Sequence, residues 1–184
     1  MAWHSRVEVT AGFCIFWALL ILTLPLKFLM GAALAAAAHE LCHALAVKLA
    51  GGDILGLTLD AGGVTMDISG LDTGKELLCA LAGPAGSLML SLLSIPGLSV
   101  CALMQGAFNL LPLAPLDGGR ALGCILDLTA PRYRQQIQRG VEWACVLSLL
   151  TLIPAFHLGA GAFGAWMLLA MRKFPCKQGR KAVQ

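Results

Sequence analysis

The chain has 184 residues, of which 58% are hydrophobic and only 12% are charged, and its mean hydropathy is +0.80. In a soluble domain roughly a quarter of the residues are charged. This composition therefore excludes an ordinary soluble protein and predicts an integral membrane protein. The net charge of +3 is small, and its basic residues gather near residues 132–139 and in the C-terminal tail. Basic segments stay on the cytoplasmic side, so we expect anionic lipid headgroups beside them and no nucleic acid.

The N-terminal half contains two apolar stretches followed by a change of pattern. An uncharged stretch predicts a first transmembrane helix at about residues 9–25, and a second is expected at about 27–50. The first helix is expected to be retained, because a small-x-small cleavage site is absent after it and another span follows at once. Residues 53–70 then alternate apolar and polar side chains around Gly62-Gly63, which predicts a β-hairpin. A flexible loop is the alternative.

The middle of the chain is uncharged over residues 77–116, which is long enough for two crossings. Pro96-Gly97 divides this stretch into a third helix at about 75–95 and a fourth that begins at about 98 and resumes through 126. The segment "LPLAPLDGG" interrupts the fourth helix, because its prolines and glycines cannot continue a regular helix.

Two short helices are expected near the C-terminus, at about 139–153 and 157–171, with Pro154 as the hinge. The basic segments on either side should share one face of the membrane, and this requires an even number of crossings between them. One longer helix is the alternative.

The predicted fold is an all-α polytopic membrane protein of about six transmembrane helices, with a small β-hairpin after the second. It is expected to form a single domain over residues 1–184, multi-pass in the cell membrane, with both termini in the cytoplasm. The catalytic core should cover about 27–128, the C-terminal helices about 139–172, and the basic tail 173–184.

The sequence "AHELCH" at 38–43 carries the strongest chemical signal. Residues four apart on an α-helix lie about 40° apart around the axis and about 6 Å apart along it. His39 and His43 therefore share one face, as two nitrogen ligands of one zinc ion require, and Glu40 is placed beside them as a general base. The alternative is a chance match, but polar groups at membrane depth cost several kcal/mol and usually act in function.

A catalytic zinc site takes three protein ligands and one open position. Asp117 in "NLLPLAPLDGGRAL" is the stronger candidate for the third ligand, because broken helices in membranes line cavities. An ion pair with Arg120 is its alternative role. Cys42 is a second candidate, or a small apolar filler. Asn109 could donate to the oxyanion of a tetrahedral intermediate, or cap or cross-link helices.

Three motifs in this order, "HELCH" at 39–43, "AGPAGS" at 82–87 and "FNLLPLAPLDGGR" at 108–120, resemble the site-2 protease family of intramembrane zinc metalloproteases. The resemblance covers about residues 27–128. The compact form is similar to the bacterial branch that includes stage IV sporulation protein FB.

The resemblance implies a role for each of the candidate residues. It implies His39, His43 and Asp117 as ligands of one zinc ion per chain, Glu40 as the catalytic acid and base, and Asn109 as a substrate-handling residue.

The resemblance also places Gly83 and Pro84 in a loop near the cleft. This chain departs from the family at Ser87, where the family often has Asn, and at Leu110, which follows Asn109 where the family has Pro.

The function implied by the resemblance is a zinc metalloendopeptidase that cleaves a membrane-tethered protein, such as a pro-sigma or anti-sigma factor, in or near its transmembrane segment. Regulatory membrane proteins and a second copy of the chain are further partners that it allows. The hairpin edge offers a place where the substrate could add as a strand. The alternatives are a transporter or metal-permeation protein, and a catalytically silent binder of membrane helices.

Overall fold

The computed structural model describes residues 6–61 and 63–152. Within these residues the chain forms six α-helices, one three-stranded sheet and a short 3-10 turn. In chain order they are β1 Arg6–Val9, α1 Ala11–Thr23, α2 Leu26–Leu49, β2 Asp53–Asp60, β3 Gly63–Ser69, α3 Thr73–Ser91, α4 Leu98–Asn109, α5 Asp117–Thr129, the 3-10 turn Pro131–Tyr133, and α6 Arg134–Leu152.

The surface of the helices is apolar, as expected for a chain in lipid. Leu22, Leu49 and Leu92 are each about four-fifths exposed. Among the described residues, α2 is the one helix long and apolar enough to cross a membrane, while α1 and α4 are apolar but shorter. These surfaces and the composition of the whole chain identify a membrane protein.

Helix α3 lies at the centre of the bundle, where it packs against α2, α4 and α5. Small residues fill the contacts between these helices, and Ala35, Ala80 and Ala102 are almost completely buried. At Gly106 on α4, an added Cβ would lie 3.1 Å from the Cβ of Ser87 on α3. Small residues let helix backbones approach closely in a membrane, and here they bring four helices around one buried centre.

The predicted hairpin is confirmed as the antiparallel pair β2 and β3. The side chains of Val64, Met66 and Ile68 are half-buried, whereas Thr65 and Asp67 between them are exposed, as a strand with one covered face requires.

Strand β1 was not predicted, and it pairs in parallel with β2, with Arg6 opposite Gly56 and Val9 opposite Leu59. The hydroxyl of Thr10 donates to Asp60 at 2.6 Å and holds the two strand ends together. One edge of β2 is therefore covered by β1 and the other by β3. Within the described residues, the outer edge of β3 has no neighbouring strand.

The predicted interruption of the fourth helix is confirmed at residues 110–116, between α4 and α5, although Asp117, Gly118 and Gly119 already belong to α5. Other helix predictions need correction or lie outside the described residues. Helix α6 begins at Arg134 rather than near residue 139, because an ion pair of 2.9 Å with Asp127 and the preceding turn anchor its start. The expected helix at 157–171 and the tail at 173–184 lie outside the described residues.

The expectation of a loop at Gly83 and Pro84 is also wrong. Both residues are buried inside α3, which runs without a break from Thr73 to Ser91. Proline is tolerated within membrane helices because neighbouring groups satisfy the backbone carbonyl that it leaves without a donor.

Candidate active site

The two histidines of the motif project from one face of α2 into the bundle. His39 is 2% exposed and His43 is 8% exposed. Their Nε2 atoms lie 3.2 Å apart, and the rings stand nearly edge to face, at an interplanar angle of 79°. The predicted side-by-side placement is therefore present, with both Nε2 atoms aimed at the same point.

Asp117 is the first residue of α5, and its carboxylate completes the cluster. Its Oδ2 atom lies 3.0 Å from Nε2 of His39 and 3.1 Å from Nε2 of His43. The three donor groups all lie within 4.8 Å of one another. Among the ion pairs of the described residues, Asp117 pairs with these histidines and not with Arg120. Residues from two distant stretches thus converge on one centre.

Glycines after Asp117 explain how it reaches the cluster. A Cβ at Gly118 would lie 2.6 Å from the carbonyl oxygen of Leu111, and one at Gly119 would lie 2.6 Å from the nitrogen of Ala114. Real Cβ contacts are not this short, so only glycine lets the segment 110–116 fold back on the first turn of α5. The "LDGG" motif is therefore a packing requirement that fixes where Asp117 begins its helix.

A second pair of glycines brings α3 against the histidine face of α2. A Cβ at Gly83 would lie 2.6 Å from both Cδ2 and Cε1 of His43, and it would meet Nε2 of that ring directly. A Cβ at Gly86 would meet the sulfur of Cys42. Cys42 is thus packed against the bare backbone of Gly86, and it does not belong to the three-residue cluster.

The outer nitrogen of each imidazole also has a partner, and both partners belong to α3. Nδ1 of His43 lies 2.8 Å from the backbone carbonyl oxygen of Cys79, and Nδ1 of His39 lies 2.8 Å from the hydroxyl of Ser87. A carbonyl oxygen can only accept, so His43 carries its proton on Nδ1 and its Nε2 lone pair faces the cluster.

These outer contacts were missed by the sequence reasoning. For Ser87 a signal existed, since a hydroxyl in an otherwise apolar helix should have a partner. A backbone carbonyl such as that of Cys79 leaves no signal in a sequence.

Glu40 and Asn109 flank the cluster without belonging to it. Glu40 is half-buried on α2, and α2 contacts β3, the strand that contains Val64. Asn109 is the last residue of α4, and its Nδ2 atom lies 3.5 Å from Nε2 of His39. The structure therefore brings all five predicted site residues to one place, from three different helices.

The donor set fits a catalytic zinc ion. Two neutral imidazoles and one carboxylate are the ligands of many hydrolytic zinc sites, which keep one position open. The described part of the chain shows no fourth His, Cys, Asp or Glu in the cluster. Each imidazole has a hydrogen-bond partner at its far nitrogen, as zinc-bound histidines almost always do.

Comparison with known proteins gives similar relatives. The protein named "Putative zinc metalloprotease Rip3" of Mycobacterium tuberculosis is 38% identical over 157 residues, covering 71% of this chain and 39% of that protein. "Zinc metalloprotease MJ0392" of Methanocaldococcus jannaschii is 34% identical over 130 residues, covering 61% of this chain and 36% of that protein. The chain thus spans about two fifths of the length of the curated relatives it matches.

A solved structure shares the fold of this chain. The site-2 protease from Methanocaldococcus jannaschii superposes with a TM-score of 0.64 over 92% of this chain and 91% of that chain, at 22% sequence identity. The family model described as "Peptidase M50B-like" matches residues 8–107, which is more than half of the chain. The predicted resemblance to intramembrane zinc metalloproteases is confirmed by these matches, and the chain belongs to the peptidase M50B-like family.

Proposed function

We propose that this chain is an intramembrane zinc metalloprotease that hydrolyses a peptide bond in or near a transmembrane segment of a membrane-tethered protein. The observation that carries the proposal is the convergence of His39, His43 and Asp117, buried among apolar helices, with their ligand atoms within 4.8 Å of one another. Burying ionisable side chains at membrane depth costs free energy, and such side chains usually have a function where they occur.

In this proposal His39, His43 and Asp117 hold one zinc ion per chain. When bound, zinc supplies a Lewis acid that activates water and polarises a carbonyl at neutral pH. The protein contributes a fixed set of three donors, because the two rings are held from α3 and the carboxylate by the tight start of α5. Names of the relatives support the choice of metal, since they describe zinc metalloproteases.

Glu40 is the general base and acid of the proposed reaction. It follows His39 directly on α2 but lies outside the donor cluster, so its carboxylate is free to handle a proton. It would take a proton from the attacking water and then give it to the leaving amine nitrogen. Strand β3 contacts α2 beside it, and the N–H of Val64 is the proposed partner that would keep this carboxylate turned toward the cleft.

Asn109 is the proposed donor to the charge that develops on the substrate carbonyl. Its amide nitrogen lies 3.5 Å from Nε2 of His39, at the rim of the cluster. An N–H donor aimed at the oxyanion contributes to catalysis because its dipole is already in position.

The outer edge of β3 is the proposed docking place of the substrate. A peptide bond within a helix is shielded by its own hydrogen bonds, so the substrate must become extended before cleavage. Asp60 pairs with Gly63 across a two-residue turn, so alternation along β3 turns the N–H groups of Val64 and Met66 to its outer edge. A substrate strand paired there would lead toward the carboxylate.

For the arrangement in the membrane, we propose about six crossings with both termini in the cytoplasm. The uncharged stretches and the two basic segments of the sequence support this topology. Pro-sigma and anti-sigma factors are the proposed substrates within the class of single-span proteins. Regulatory membrane proteins and a second copy of the chain are further proposed partners.

The test compares the purified wild type with Glu40→Gln in cleavage of a single-span substrate, while bound zinc is measured in both. Proteolysis predicts a loss of turnover of at least about a thousandfold, because the general base is removed, with zinc content unchanged. Glu142→Gln on α6 is the matched control, since its described partner is Gln138 and it lies outside the cluster. It should retain full activity.

Equal turnover in the wild type and in Glu40→Gln would overturn the proteolytic assignment. If both proteins bind zinc and Glu40→Gln changes no measured activity, a metal-permeation protein would be favoured, because such a site needs metal ligands but no general base. A wild type that binds single-span proteins without cleaving them would favour a silent binder of membrane helices.

A further inference from the structure

We propose that Ser87 is a positioning residue that sets the tautomer and ring orientation of His39 for metal binding. The inference rests on the proposed zinc site and assigns it a further residue. Ser87 is 0% exposed, and its hydroxyl lies 2.8 Å from Nδ1 of His39, 48 residues earlier in the chain.

The hydroxyl of Ser87 differs from those of other helical serines in this chain. Serine in a helix commonly donates to a backbone carbonyl three or four residues earlier. Ser91 does this with Leu88 at 2.6 Å, and Ser99 does it with Ile95 at 3.1 Å. The described contact of Ser87 is instead an imidazole on another helix. The residue therefore serves a contact between helices rather than its own backbone.

The contact has a defined chemical consequence for His39. A neutral imidazole carries one proton, and the nitrogen that binds a metal must be the one without it. Nε2 of His39 faces His43 and Asp117, so the proton belongs on Nδ1 and needs an acceptor. The hydroxyl oxygen of Ser87 supplies that acceptor, which keeps the Nε2 lone pair directed at the cluster.

His43 is oriented in the same way but from the backbone. Its Nδ1–H donates to the carbonyl of Cys79, which also lies on α3, two helical turns before Ser87. Helix α3 therefore holds both imidazoles of the site, one through a main-chain oxygen and one through a side chain. Truncating the side chain of the partner residue itself can remove only the second of these contacts.

Among the described hydrogen bonds, the hydroxyl of Ser87 is the partner of Nδ1 of His39. An added Cβ at Gly106 would lie 3.1 Å from the Cβ of Ser87, so α4 closes tightly over this position. In Ser87→Ala the Nδ1–H would be buried without an acceptor, and the ring could turn or change tautomer to relieve that cost.

The experiment measures zinc affinity of the full chain, purified in detergent and stripped of metal, by competition with a chromophoric chelator. Ser87→Ala should weaken zinc binding about 10- to 100-fold, the usual effect of removing such a partner. Ser91→Ala is the matched control, because it makes the same change one turn further along α3 and loses only a local backbone contact. Its affinity should stay within about twofold of the wild type.

A second measurement separates positioning from a general loss of stability. The absorption spectrum of the cobalt-loaded protein at saturating metal reports the geometry of the ligands, and the thermal midpoint of the metal-free protein reports folding. Positioning predicts a changed cobalt spectrum in Ser87→Ala and an unchanged one in Ser91→Ala. Ser87→Thr keeps the hydroxyl. If its thermal midpoint equals that of the wild type, so that the added methyl group is accommodated, its cobalt spectrum should match the wild-type spectrum.

The outcomes distinguish this inference from the proposed function. If the wild type binds no zinc, the proposed function fails. If the wild type binds zinc and Ser87→Ala binds it equally well with the same cobalt spectrum, the role of Ser87 is refuted, whatever happens to the thermal midpoint.

Discussion

Replacing Gly83 by alanine tests the geometry of the site more sharply than removing a ligand. The new Cβ would lie 2.6 Å from Cδ2 and Cε1 of His43. Two carbon atoms in contact prefer about 3.5 Å, so the ring would have to move by about 1 Å. Metal–ligand distances tolerate only about 0.2 Å. The ring cannot retreat freely, because its Nδ1 is held by the carbonyl of Cys79.

We therefore expect Gly83→Ala to lose His43 as an effective ligand and to weaken zinc binding by more than about a hundredfold. That factor corresponds to about 2.8 kcal/mol. Overpacking costs about 1–3 kcal/mol, but alanine in place of a helical glycine regains about 1 kcal/mol. The free energy of unfolding of the metal-free protein should therefore fall by about 0–2 kcal/mol, which is less than the loss of zinc-binding free energy.

The assay combines zinc competition, cleavage of a single-span substrate and thermal unfolding of the metal-free chain. Gly140→Ala on α6 is the matched control, because its Cβ would meet no atom of the described residues within 4 Å, and it should keep wild-type binding and turnover. A Gly83→Ala protein that binds zinc and cleaves like the wild type would refute the close approach of α3 to His43.

Two further predictions concern the carboxylate ligand and the sheet edge. Asp117→Asn should lower zinc affinity at least about a hundredfold by removing the anionic ligand, whereas Asp127→Asn on the same helix should lose only the ion pair with Arg134; equal zinc content in both proteins would contradict this. Met66→Pro removes an N–H from the outer edge of β3 without breaking its pairing to β2, so cleavage should fall at least about tenfold while Met66→Val stays active. Unchanged cleavage by a folded Met66→Pro protein would exclude strand addition at this edge.

The site could be predicted from the sequence wherever local spacing decides the geometry. The interval of four residues between His39 and His43 fixes their common face on any α-helix, and the structure confirms it. Asp117 was predicted as the third ligand because broken helices in membranes line cavities and a zinc site with two histidines needs one more ligand. Its carboxylate does lie beside both imidazoles. The hairpin was found because alternation is also a local property.

The features that the sequence did not reveal depend on pairings between distant residues. Strand β1 has four residues, too few for a clear period, and it exists through its parallel pairing with β2 about fifty residues later. The loop that the resemblance implied at Gly83 and Pro84 was wrong, whereas the helix predicted at about 75–95 already included both residues. The contact between Ser87 and His39 depends on how α3 crosses α2. The sequence of either helix alone does not determine that crossing.

The "AGPAGS" motif acquires one physical explanation from these contacts. Helices in lipid gain little from burying apolar side chains against each other, so close packing and hydrogen bonds must hold them together. Gly83 and Gly86 remove the side chains that would keep α3 away from α2. The resulting approach is what brings the carbonyl of Cys79 and the hydroxyl of Ser87 within 2.8 Å of the imidazoles.

The close packing of α3 against α2 therefore also positions the hydrogen-bond acceptors of the two imidazoles. A side chain at Gly83 would displace the ring of His43, and a side chain at Gly86 would meet Cys42. Either change would disturb the fit of the histidine face of α2 against α3. This is why the metal affinity of the chain should respond to a methyl group on α3 as strongly as to the loss of a polar group. The geometry of the site depends on Gly83 and Gly86 on α3 as well as on the residues that would bind the metal.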